Sequence, residues 1–138
     1  MRNTIRRELK FAQSPEAVWR ALTDRAALAE WMYPNDFEPR VGHSFTLRVP
    51  PRPQLEDGLI VRGEVLTCVP PSELVFTWVV GEFLNTRVSY RLEPDGAGTR
   101  VLFEHSGFED EAALGGAEYG WSIMHSKLAK ALAQQRSI

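Results

Sequence analysis

The chain has one cysteine, Cys68, which excludes an internal disulfide and fits a reducing compartment. Cys68 stands in Val65-Leu66-Thr67-Cys68-Val69, where a half-buried strand thiol is expected rather than a reactive one. No run approaches the roughly 18 apolar residues that a bilayer-spanning helix needs, so membrane insertion is not expected. The basic start Met1-Arg2-Asn3-Thr4-Ile5-Arg6-Arg7 lacks the apolar stretch of a secretory signal, so a cytoplasmic location is expected. Neither sign of charge dominates: 16 Lys and Arg stand against 18 Asp and Glu, a net charge of -2, so neither nucleic acid nor an anionic surface is an expected partner. The three histidines, His43, His105 and His125, form no His-x-His or His-x-x-x-His pair and have no cysteine nearby, so no metal site is expected. A Gly-x-Ser-x-Gly elbow, a phosphate-binding loop and a dinucleotide fingerprint are missing too, since Gly115, Gly116 and Gly120 lack the required spacing. No cofactor is therefore assigned.

What remains is an ordinary globular balance, 43% hydrophobic and 25% charged over 138 residues, which supports one domain covering 1–138. No linker, internal repeat or low-complexity tract divides it. Ile5, Arg7, Leu9 and Phe11 alternate with Arg6, Glu8 and Lys10, which predicts a first strand whose apolar face Arg7 interrupts. Ser14-Pro15-Glu16 signals a helix start carrying Val18, Trp19 and Leu22, and a second short helix follows with Leu28, Trp31 and Met32. Turn residues at Gly42, Asp57-Gly58, Pro70-Pro71-Ser72, Gly81 and Pro94-Asp95-Gly96 then punctuate five predicted strands, about 43–49, 59–69, 73–80, 84–93 and 99–106. Gly96 and Gly98 are both able to take positive φ in the last hairpin. Pro50-Pro51-Arg52-Pro53 reads as a stiff connection between strands rather than a recognition motif.

From about 116 to 135 the period changes: Trp121, Met124, Leu128, Ala131 and Leu132 recur at helical spacing, predicting a long amphipathic helix. Gly115-Gly116 is expected to bend the chain into it, and Gly120 to let it approach the sheet closely. Glu109-Asp110-Glu111 would stabilise its start rather than catalyse. By strand parity or helix stripe, Phe45, Phe76, Trp78, Tyr90, Phe103 and Trp121 fall where this helix faces the sheet, and most of them belong to the core. His105 shares the inward parity and His125 lies one turn past Trp121, so both are expected as hydrogen-bonded histidines at the edge of the core. Arg87, Arg91 and Arg100 have the opposite parity; Glu93 and Glu104 beside them argue against nucleic-acid binding.

The order of elements is that of the helix-grip fold: α+β, with a curved antiparallel six-stranded sheet, two short helices and a long C-terminal helix. Ser14-Pro15-Glu16-Ala17-Val18-Trp19-Arg20-Ala21-Leu22-Thr23-Asp24, Leu28-Ala29-Glu30-Trp31-Met32, Gly63-Glu64-Val65 leading to Pro70-Pro71-Ser72-Glu73-Leu74-Val75-Phe76-Thr77-Trp78, Gly98-Thr99-Arg100-Val101, His105-Ser106-Gly107-Phe108 and Gly120-Trp121 cover nearly the whole chain. Together they resemble the activator of heat-shock-protein-90 ATPase homologue-like branch of the START-like (SRPBCC) superfamily. The resemblance implies a cavity between sheet and long helix that takes lipids, sterols, polyketides or other hydrophobic molecules. Those activators pair this domain with a separate N-terminal chaperone-binding domain, absent from these 138 residues, so no chaperone partner is expected.

The expected function is thus the binding of an apolar or amphipathic small molecule. Its ligand-binding residues are expected among Trp31, Phe45, Leu47, Phe76, Trp78, Val88, Tyr90, Val101, Phe103, His105, Trp121, Met124, His125 and Leu128. Tyr90 and Trp78 would supply polar handles in an apolar pocket. No catalytic residue is assigned; a cyclase- or dehydratase-like enzyme would use His105 or His125 as acid or base. A third reading is a protein-binding module presenting the outer sheet or the short helices, and a homodimer stays open.

Overall fold

The structure, a computed structural model, describes residues 3–51, 53 and 56–135. Arg52 of the proline-rich connection lies outside them. Nine elements follow the chain: β1 (Thr4–Phe11), α1 (Pro15–Thr23), α2 (Arg25–Trp31), β2 (Ser44–Val49), β3 (Leu59–Val69), β4 (Glu73–Val80), β5 (Leu84–Asp95), β6 (Gly98–Ser106) and α3 (Glu111–Gln135). The strands form one antiparallel sheet in the order β1-β6-β5-β4-β3-β2. The chain's first strand therefore closes the meander by pairing with its last, Ile5 opposite His105. This is the predicted α+β architecture.

Local chemistry explains the element ends. Ser14 caps α1 by accepting from the Ala17 N–H at 3.2 Å, with Pro15 in the first turn, and Asp24 caps α2 by accepting from the Ala27 N–H at 3.0 Å. Because Asp24 also closes α1 by donating its backbone N–H to the Arg20 carbonyl at 2.9 Å, one residue ends one helix and starts the next. Trp31 then ties the two together, its indole N–H donating to the Ala21 carbonyl at 2.8 Å.

Sheet parity and helix stripe converge on one core. Every residue named above as a ligand-facing candidate is buried, from Phe45 and Leu47 on β2 to Leu128 on α3. Arg7, which interrupts the apolar face of β1, is accommodated because Glu118 of α3 reaches it at 3.6 Å. On the outer face Arg6 pairs with Glu104, Arg91 with Glu73, and Arg100 with Glu8 and Glu93. Cys68 is half-buried on β3, where its thiol donates to the Pro39 carbonyl at 3.3 Å and burial pushes its pKa up.

Four local expectations are corrected. Helix α3 begins at Glu111, five residues before the predicted start, because Asp110 accepts from the Ala112 N–H at 2.9 Å and caps a turn ahead of the glycines. Gly115 and Gly116 consequently lie within the helix and bend nothing. Gly120 makes no close approach: a Cβ built there, or at Gly115 or Gly116, would meet nothing within 4 Å. In the last hairpin only Gly96 takes positive φ, at 61°, while Gly98 is a buried strand residue with no room for a side chain against Phe11.

The glycine that does need its missing side chain is Gly63 on β3, where an added Cβ would overlap the Thr77 carbonyl oxygen and the Phe45 ring. Gly63→Ala should therefore lower stability by about 2 kcal/mol or more, whereas Gly120→Ala should raise it by up to about 1 kcal/mol because only helix propensity changes. Urea unfolding of the two variants checks the contrast, and equal effects would contradict it.

Candidate functional site

Helix α3 lies across the concave face of the sheet, but its inward surface is not uniform. Large side chains, Leu114, Trp121, Met124, His125, Leu128 and Leu132, are buried. Between them the sequence places only small residues on the neighbouring rows: Ala113, Gly116, Ala117 and Gly120 at intervals of three and four. Where the large residues point, the space to the sheet is filled; along the small ones it is open.

The filled half centres on aromatic packing. Phe103 of β6 packs edge-on against His125 with ring centroids 4.7 Å apart and against Trp121 at 4.8 Å, and Tyr90 of β5 packs on Phe103 at 5.1 Å. A void of about 10 Å³ lies beside α1 and α2, bordered by Leu22, Leu28, Trp31, Met32, Phe37, Phe45, Leu47, Phe76 and Tyr90. That is room for about one water.

The open half is a cleft of about 410 Å³. Its helical wall runs from Ala113 through Gly116, Ala117, Gly120 and Trp121 to Met124 and Lys127. The opposite wall is built by Val49 of β2, Leu59 and Val61 of β3, Trp78 and Val80 of β4 and Leu84 of β5, with Met32 and Tyr33 after α2 closing one side. Trp78 and Trp121 meet at its floor with ring centroids 5.1 Å apart. Tyr119, 71% exposed, and Ile123, 42% exposed, form an apolar outer lip on successive turns of α3. A larger depression, about 510 Å³, lies around Arg6, Arg7, Glu8, Ser89, Arg91, Leu102, Phe103 and Glu104, but it is an open trough in which five of the eight lining side chains are charged.

Of the fourteen candidates, Trp78, His105, Trp121 and Met124 border the cleft, and Trp31, Phe45, Leu47, Phe76 and Tyr90 border the small void. Val88, Val101, Phe103, His125 and Leu128 border neither. The cleft is also lined by residues outside those candidates: Gly116, Gly120 and Ala117, whose contribution is the space they leave, the apolar Met32, Val49, Leu59, Val61, Val80, Leu84 and Ile123, and Tyr33, Tyr119 and Lys127 at the edge. The glycines were visible as three in six positions of a predicted helix, a sequence helices otherwise avoid.

Both inward histidines are committed to protein partners. The Trp121 indole N–H donates to His105 Nδ1 at 2.9 Å, so the proton of the neutral ring sits on Nε2 and donates to Thr86 Oγ1 at 2.7 Å; that hydroxyl donates to the Trp78 carbonyl at 2.8 Å. This chain crosses from α3 through β6 and β5 to β4. His105 is fully buried, its wall position screened by Trp78 and Trp121, and burial lowers its pKa to about 4. His125 Nε2 is hydrogen-bonded to the Tyr90 hydroxyl at 2.9 Å, stacked on Trp121 with centroids 5.3 Å apart. Burial, together with the charge of Arg7, lowers its pKa to about 4, and burial raises that of Tyr90 well above 10. Both members of this pair are neutral around pH 7. His43 lies elsewhere, holding the connection before β2 through the Asp36 carbonyl at 2.9 Å and Arg40 at 3.3 Å. Among the described residues no group of three or more His, Cys, Asp or Glu side chains is arranged to hold a metal ion, and no helix is long and apolar enough to cross a membrane. The arrangement is suited to enclosing apolar surface.

Comparison with solved structures and family models agrees with this architecture. MLL2253 from Mesorhizobium loti is 33% identical, with a TM-score of 0.84 over 95% of this chain and 97% of that one. CalU16 from Micromonospora echinospora is 25% identical, with a TM-score of 0.79 over 97% of this chain and 78% of that one. DynU16, described as a protein of the dynemicin biosynthetic locus, shares the fold at 21% identity and a TM-score of 0.84, the match covering 96% of this chain and 48% of DynU16. No curated protein matches. The family model described as "Activator of Hsp90 ATPase homolog 1-like protein" matches residues 12–133. With a match over nearly its whole length and the sheet, short helices and gripped C-terminal helix in place, the chain belongs to the activator of Hsp90 ATPase homologue 1-like family.

Proposed function

We propose that this protein binds an apolar or amphipathic small molecule in the cleft between α3 and the β2-to-β5 part of the sheet. The observation that carries the reading is the coincidence of an apolar cleft of about 410 Å³ with a helix stripe of Ala113, Gly116, Ala117 and Gly120. That volume falls in the roughly 300–1,000 Å³ range of small-molecule sites, which are mostly apolar concavities with a few polar groups. Two glycines lining the cleft weaken the helix by roughly 1 kcal/mol each relative to alanine, and nothing packs against them to explain their presence. An open groove for a ligand accounts for both facts.

The alternative of a cyclase- or dehydratase-like enzyme needs a histidine that reaches the bound molecule. Both ring nitrogens of His105 are engaged, with Trp121 and Thr86, and Nε2 of His125 is engaged with Tyr90. Their geometry supports binding over acid–base catalysis. The outer sheet face, with Arg6, Arg91 and Arg100 paired to glutamates, offers little support for a docking module.

A neutral dye such as N-phenyl-1-naphthylamine should bind with enhanced fluorescence. The double variant Gly116→Leu, Gly120→Leu should weaken it at least tenfold while circular dichroism is unchanged, since leucine favours helix and the groove has room for it. Undiminished dye binding by the filled variant would overturn the reading.

The histidines give a second test. Their folded pKa of about 4 lies below the ordinary 6.5, so the unfolded chain takes up protons that the folded one excludes. Their contribution to stability is complete above pH 6.5 and is lost progressively as the pH falls toward 4. Nuclear magnetic resonance titration of the two imidazole rings should show native midpoints near 4, and a midpoint near 6.5 for either would contradict the assignment. His105→Ala should cost about 2–4 kcal/mol in urea unfolding, because it strands the Trp121 N–H and the Thr86 hydroxyl.

A further inference from the structure

The cleft has an electrical polarity that its shape alone does not require. Lys127 is the one charged residue along its walls, and no carboxylate lines it. Among the described residues Lys127 has no ion-pair partner, unlike Arg6, Arg7, Arg91 and Arg100. It continues the outer lip at four-residue spacing, Tyr119, Ile123, Lys127, so its aliphatic stem prolongs the apolar edge while its ammonium stays in water. The opposite end of the helical wall, at Ala113, adjoins Glu109, Asp110 and Glu111. One end of the groove thus attracts an anion and the other repels it. Tyr33, whose hydroxyl makes no hydrogen bond among the described residues, follows α2, and Trp31 of α2 lies beside His125 with ring centroids 6.2 Å apart.

Resting on the binding reading above, we infer that the ligand is an amphipathic monoanion: a free molecule with a carboxylate-type head at Lys127 and an apolar tail laid along Gly120 and Gly116 toward Ala113. Gly116 and Lys127 are eleven residues apart, about 16 Å along the helix at 1.5 Å per residue, so the tail is of medium length. The head stays solvated at the lip, which keeps the cost of burying charge low. Trp78 and Trp121 supply the floor against which the tail loses its water.

Three molecules with one tail and different heads separate the two layers of the account: sodium dodecanoate, dodecan-1-ol and dodecyltrimethylammonium, each below its micelle concentration, displacing N-phenyl-1-naphthylamine. The wild-type chain should prefer dodecanoate over the alcohol about threefold to fivefold, the size expected of a solvent-exposed ion pair, with the cation weakest and the preference shrinking as salt rises. Lys127→Gln should bring the dodecanoate-to-dodecanol ratio to one and Lys127→Glu should reverse the order of anion and cation. Lys130→Gln, which removes a charge away from the cleft, should leave the ratio as in wild type. Equal displacement by all three heads, or a ratio unaffected by Lys127→Gln, overturns the anion inference and leaves the binding reading standing. Failure of all three to displace the dye overturns both.

Discussion

The position of α3 on the sheet depends on one buried hydrogen-bonded chain, from the Trp121 indole through the His105 imidazole and the Thr86 hydroxyl to the Trp78 backbone carbonyl. Its donors and acceptors are matched along its length, and no buried side-chain polar atom is left without a partner among the described residues. A chain of this kind is directional and short-ranged, whereas hydrophobic burial is neither. It therefore sets the height and rotation of the helix where apolar contact alone would let it settle deeper. The Tyr90–His125 hydrogen bond does the same one turn further on.

With the helix held there, the identity of each side chain on its underside decides whether space beneath it is filled. Trp121, His125 and Leu128 fill it toward β5 and β6, where the aromatic rings interlock. Gly116 and Gly120 leave it empty toward β3 and β4. A packed half and an open half thus arise on one helix without any change in backbone geometry. The packed half supplies the burial that a domain of this size needs against its chain entropy, which frees the open half for a ligand.

Most of the architecture was legible in the sequence because it rests on periodicities. Alternation placed Phe45, Phe76, Trp78, Tyr90 and Phe103 inward, and all are buried. The pairing of β1 with β6 follows from no local signal, only from the fold that the sequence resembles. The site was legible less well. Reasoning from bulky apolar residues found the floor, Trp78 and Trp121, but also collected Val88, Val101, Phe103 and Leu128, which fill the core. A cleft is defined by missing atoms, so its strongest signature lay in the glycines of α3. Those were misread as a bend and a close contact because the Asp110 cap, which starts the helix a turn before them, was not recognised.

The central claim is that the open half of the grip holds the apolar body of a ligand, and its most direct test is to locate one heavy atom. Crystals grown with 12-bromododecanoate, with diffraction recorded at the bromine edge, should give an anomalous peak inside the cleft among Trp78, Gly116 and Gly120. A peak on the outer sheet face, or none there at saturating ligand, would contradict the account.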